Sequence, residues 1–167
     1  MVAERVSLTA LCRDLGARLV ARGLTVTVAE SCTGGLVAAA LTECPGSSQW
    51  FAYGFVTYSP QAKQALLGLS AEAVAPARIV SEATACAMAE AARRRAGADW
   101  AIAVTGIAGP QGGRRACPVG TVVIAWGDGR GTEAQTFRFP GDRAHVRASA
   151  VEAALQGLRA RLMERPG

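Results

Sequence analysis

Lysine is almost absent: of the 18 basic side chains in this 167-residue chain, every one except Lys63 is arginine, and histidine occurs once, as His145. Aromatic residues make up only 5% of the chain, and no apolar run approaches the roughly 20 residues a membrane-spanning helix needs. The opening stretch MVAERVSLTALCRDLGARLVARG carries charges at helical spacing and lacks the apolar core and cleavage site of a secretory signal. No CxxC pair occurs among the five cysteines, Cys12, Cys32, Cys44, Cys86 and Cys117. An odd, scattered set with one histidine beside it predicts neither a disulfide framework nor a metal centre. Free thiols suit a reducing compartment, so a cytoplasmic location is expected and no cofactor is implied. The formal charge of +5 comes from arginines spread along the chain. With few aromatics and no nucleic-acid-binding motif, that balance points away from nucleic acid and toward a phosphorylated small molecule.

What the chain does have is apolar bulk and a regular alternation of patterns. Half of it is hydrophobic, and a chain of this length buries enough surface to fold without staples. Helical periodicity runs over 8–22 and stops at Gly23. LTVTVAE (24–30) alternates as a strand, LVAAALTE (36–43) reads as a helix, and WFAYGFVTYS (50–59) as a second strand. Ser59-Pro60 is a helix start, with serine at the cap and proline in the first turn, and Gly68 ends that helix. Ser81 caps a longer helix whose last turn holds Arg93-Arg94-Arg95, where cations are favoured. WAIAVTG (100–106) reads as a buried strand. VGTVVIAW (119–126) and TEAQTFRF (132–139), joined by a glycine-rich turn, form a hairpin, and Asp142 caps a final helix to about Glu164. The expectation is one α/β domain over 1–167, a three-layer α/β/α sandwich around a mixed sheet.

Three strand-to-helix junctions carry the polar residues: SCTGG (31–35), TYSPQAK (57–63) and TGIAGPQGG (105–113). In open α/β sheets ligands collect outside the carboxyl ends of the strands, so the three can converge on one pocket. Ser31 reads either as a helix cap or as a nucleophile. In the second case amides near Thr33, Gly34 and Gly35 would hold the oxyanion, each good donor being worth roughly 3–4 kcal/mol of barrier. A serine nucleophile needs a base. His145 offers one candidate without a local signature. Lys63 offers the other: an arginine cannot give up its proton, whereas an amine in the first turn or so of a helix, partly buried, can have its pKa lowered. A surface lysine surviving by chance is the plain alternative. Tyr58, five residues earlier, either relays a proton between serine and lysine or packs at the strand edge. Thr105, Gly106 and Gly109 belong either to a ligand-lining loop or to a tight turn; the spacing matches neither a Walker nor a dinucleotide-binding motif. Arg143 and Arg147, four apart on the last helix, either grip a phosphate or form a solvated face.

AESCTGG (29–35), GFVTYSPQAKQALLG (54–68), VSEATACAMAEAARRRAGADWAIAVTGIAGP (80–110), PVGTVVIA (118–125) and FPGDRAHVRASAVEAAL (139–155) together resemble the CinA C-terminal domain family, over nearly the whole chain and in the same order. The family's enzymes are nicotinamide-nucleotide amidohydrolases. The resemblance therefore implies hydrolysis of nicotinamide mononucleotide (NMN) to nicotinic acid mononucleotide and ammonia in pyridine nucleotide recycling. It implies Ser31, Tyr58 and Lys63 as the catalytic set, no metal, and a homodimer or larger assembly. It is the stand-alone form that is resembled, since no molybdopterin-like domain precedes the motifs. One departure stands out: GGRRACPVG (112–120) replaces the family's usual GGTPEKPVG, which puts in question the contacts of Arg114, Arg115, Ala116 and Cys117. Two other readings stay open: a non-catalytic nucleotide-binding module linked to competence or DNA damage, and an amidase or esterase of different substrate.

Overall fold

A computed structural model describes residues 7–165. Five strands form one sheet in the order β2-β1-β3-β4-β5, with β1 (Val26–Glu30), β2 (Phe51–Val56), β3 (Trp100–Gly106), β4 (Thr121–Asp128) and β5 (Gly131–Arg138). β2, β1 and β3 are parallel, whereas β3–β4 and β4–β5 are antiparallel. The sheet is mixed, as expected, and helices cover both faces. No described helix is long and apolar enough to cross a membrane.

Alternation along the strands separates the two faces by side-chain size. Val26, Val28, Trp100, Ile102, Val104, Val122, Ile124 and Trp126 point to one side, where α1 (Leu8–Arg22), α2 (Leu36–Thr42) and α5 (Arg143–Glu164) close the larger core. Ala29, Ala101, Ala103, Val123 and Ala125 face the other way, toward α3 (Pro60–Leu67) and α4 (Glu82–Ala96). Alanines on both the sheet and α4 let that helix lie close across the strands. On the first side Gly157 of α5 admits the Trp126 indole: an added Cβ would stand 2.1 Å from the ring, and the indole N–H donates to the Ala154 carbonyl at 2.8 Å.

The helix signals in the sequence have their physical counterparts. Ser7, Ser59, Ser81 and Asp142 side chains accept backbone N–H groups at the starts of α1, α3, α4 and α5. α2 differs, because Gly35 at its N-cap position, with φ of 100°, supplies no side chain. The expected strand over 50–59 stops at Val56. A short 3-10 turn, Ser47–Gln49, precedes it, so Thr57 and Tyr58 lie in the connection to α3.

Candidate active site

β1 and β3 are neighbours in register, and Ser31 continues that pairing by one residue, its N–H donating to the Val104 carbonyl at 2.9 Å. The nucleophile candidate thus stands at the carboxyl edge of the sheet on a pinned backbone. α3 brings Lys63 to the same point. The Lys63 side chain is fully buried, and Nζ lies 2.8 Å from Ser31 Oγ and 2.6 Å from the Thr57 carbonyl. Burial pushes the amine down from 10.5 to about 8, opposed only by the neighbouring Cys32 thiol. When neutral, Lys63 can accept the Ser31 proton on its lone pair while an N–H holds the Thr57 carbonyl. His145 is exposed on α5 and makes no side-chain hydrogen bond to Ser31. The base within reach is the lysine.

The turn that carries Ser31 is gripped from two sides. Glu30, buried at the end of β1, accepts the N–H groups of Gly35 and Val37 on Oε2 and of Ala38 on Oε1, at 3.1, 3.0 and 2.8 Å. It supplies the cap that Gly35 cannot. From α5, Arg147 donates Nε to the Cys32 carbonyl and Nη2 to the Thr33 carbonyl, each at 3.1 Å. Glu30→Ala would strand three amides, two of them at the start of a short helix, and is expected to cost about 3–5 kcal/mol, measurable by urea unfolding.

These grips correct several expectations. The Gly35 amide serves Glu30 and the Gly34 amide closes a turn on the Ser31 carbonyl at 3.0 Å, so neither is free for an oxyanion. The amides of Cys32 and Thr33 donate to no backbone carbonyl among the described residues. Because C=O and the next N–H oppose each other across a trans peptide, Arg147 on the Cys32 carbonyl fixes the direction of the Thr33 amide. The Thr33 side chain itself is buried, its hydroxyl unpartnered. Two of the three Arg147 guanidinium nitrogens are therefore engaged by carbonyls of the turn, whereas Arg143 points to different partners. Tyr58 is more than half exposed, and its hydroxyl accepts from Arg143 Nη2 at 2.8 Å instead of bridging Ser31 and Lys63. Arg143 Nη1 also reaches the Gly109 carbonyl, at 3.0 Å. Thr105 donates its hydroxyl to the Ile79 carbonyl at 2.9 Å, and Gly106 is required by the close passage of β4, whose Thr121 carbonyl would lie 2.7 Å from an added Cβ.

Two adjoining cavities meet at Ser31. The larger, about 410 Å³, runs under an apolar wall of Val74, Pro76, Ile79 and Val80 to Arg114, the only charged residue lining it among the described residues. The smaller, about 260 Å³, is lined by Cys32, the 106–109 loop, Gln111 and Arg143. Backbone amides of the glycine-rich loop between Ala108 and Gly113 have no partner among the described residues. Cys32 is no rival nucleophile, since burial lifts its thiol to about 11. Among the described residues no three histidine, cysteine, aspartate or glutamate side chains gather as a metal would require.

The CinA C-terminal domain model matches residues 8–162, almost the whole described chain. The chain belongs to the CinA C-terminal domain family. Within it, the nicotinamide-nucleotide amidohydrolase PncC of Shigella flexneri is 49% identical over 150 residues, covering 89% of this chain and 90% of that protein. A CinA-like protein of Geobacter sulfurreducens is 48% identical over 142 residues, covering 85% of this chain. The chain spans only about a third of the longer CinA relatives, 34% in that case. The crystal structure of competence damage-inducible protein A from Klebsiella pneumoniae superposes with a TM-score of 0.92 at 40% identity, covering 96% of this chain and all of that one.

Proposed function

We propose that this CinA-family domain is a nicotinamide-nucleotide amidohydrolase that converts NMN and water to nicotinic acid mononucleotide and ammonia. The observation that carries the reading is the fully buried Lys63 amine 2.8 Å from Ser31 Oγ at the junction of the two cavities. Its support from kinship is the close identity to PncC proteins of nearly equal length. The larger cavity falls in the usual range for small-molecule sites, roughly 300–1,000 Å³.

In this reading neutral Lys63 takes the Ser31 proton as Oγ attacks the carboxamide carbon. The amides of Cys32 and Thr33 receive the developing oxyanion, held in place by Arg147 and Glu30 acting through the turn. The lysine then returns the proton to nitrogen, ammonia leaves, and a nicotinoyl ester remains on Ser31. Water, deprotonated by the same amine, cleaves the ester and restores the serine. The pyridine ring lies along the apolar wall of the larger cavity. The phosphate faces Arg143 and the free amides of the 108–113 loop, remote contacts that orient the reacting bond. Tyr58 holds Arg143 for that purpose.

The test is a coupled assay: ammonia and nicotinic acid mononucleotide should appear in a one-to-one ratio from NMN, and NMN left intact by the folded protein would overturn the reading. Its pH dependence follows from the base. Only neutral Lys63 is active, so kcat/KM is expected to rise about tenfold per pH unit and level off above about 8. A profile flat between pH 6 and 9 would remove the lysine from the chemistry.

A further inference from the structure

Between α3 and α4 the chain crosses the site as an irregular segment, residues 69–81, that forms the apolar wall of the larger cavity. Its own hydrogen bonds are local turns, such as Val74 N–H to the Ser70 carbonyl at 3.3 Å and Ile79 N–H to the Ala75 carbonyl at 2.9 Å. Among the described residues three side chains from outside tie down its carbonyls. Thr84 donates to the Ala73 and Arg78 carbonyls at 2.8 and 3.0 Å, and Thr105 donates to that of Ile79. Arg114 donates Nη1 to the Pro76 carbonyl and Nη2 to the Ala77 carbonyl, the latter at 3.1 Å.

Thr84 and Thr105 hold the wall at its base, from a helix and a strand. Among the described residues Arg114 alone holds it from across the cavity, reaching out of the glycine-rich loop. That loop is braced where the arginine leaves it: Arg114 and Cys117 exchange both backbone hydrogen bonds, at 3.0 and 2.9 Å, and the Cys117 side chain is buried. A guanidinium on a braced turn, forked over two successive carbonyls, fixes both distance and direction, which one ammonium at the same place would not.

We propose that Arg114 is a specificity-determining strap: it fixes the Pro76–Val80 wall against the planar ring of an aromatic carboxamide seated beside Ser31. It is a positioning residue that acts through the wall and leaves the Ser31–Lys63 pair untouched. The inference rests on the amidohydrolase reading for the identity of the ring, but not for the existence of the strap.

Arg114→Ala is expected to raise KM for NMN about tenfold while kcat stays within twofold, with Arg114→Lys in between. KM for nicotinamide riboside, which has the ring without the phosphate, should rise by the same factor. Amide hydrogen exchange at Val74, Ala75, Arg78 and Ile79 should quicken about tenfold in Arg114→Ala, and trypsin should cut sooner after Arg78. Unchanged KM and unchanged exchange would overturn the strap. A KM rise confined to the phosphate-bearing substrate would overturn it too, by showing a direct anion contact. If the unaltered protein released no ammonia from NMN, the functional reading would fall and the exchange experiment would still decide the strap.

Discussion

Lys63→Met and Lys63→Arg are each expected to lower kcat for ammonia release from NMN by about 10⁴-fold or more, because no other base among the described residues reaches Ser31. Arginine keeps the charge and the length but never surrenders its proton. The methionine variant carries a second expectation. Burial holds the Lys63 amine near 8 in the folded protein, against 10.5 ordinarily. Between those values the unfolded chain binds the proton and the folded one does not, so stability rises with pH across that window. The cost of the buried amine is fully present below pH 8 and gone above 10.5. Its size is about 3 kcal/mol. Lys63→Met has no such cost, so its melting temperature relative to the parent should fall by several degrees as pH is raised from 7.5 to 10.5. Parallel melting curves for the two proteins over that range would contradict the burial of a titrating amine.

Ser31→Ala should abolish turnover to the same degree and leave NMN binding intact. The contacts assigned to ring and phosphate belong to the 69–81 wall, Arg143 and the glycine-rich loop, none of which leans on the serine hydroxyl. The adjacent Cys32 offers no substitute, with its thiol buried and protonated at neutral pH. Calorimetry should return a dissociation constant within about threefold of the parent's. Turnover retained in Ser31→Ala would show that water attacks directly.

Lys63 could be singled out in the sequence because composition isolated it and the Ser59-Pro60 start placed it one turn into a helix. The layers and the mixed sheet were readable too, since the 2-residue and 3.6-residue periods change cleanly along the chain. Glu30 was not. It closes an alternating strand with no motif of its own, and the amides it caps lie across a turn whose own cap position is glycine. Arg147 looked like half of an arginine pair for the same reason: its partners, the Cys32 and Thr33 carbonyls, are 115 and 114 residues away. Tyr58 and Thr105 were placed at the right edge of the sheet, but their hydroxyl partners, Arg143 and the Ile79 carbonyl, come from segments joined to them only by the fold. Spacing reveals which residues share a face; it does not reveal which polar group on that face is already taken.

The most direct test is to quench the enzyme in acid during steady turnover of NMN and map its peptides by mass spectrometry. A nicotinoyl-mononucleotide ester is expected on the peptide carrying Ser31, absent from Ser31→Ala and lost on raising the pH. Full turnover with no adduct there, or an adduct on Cys32 in its place, would contradict that expectation.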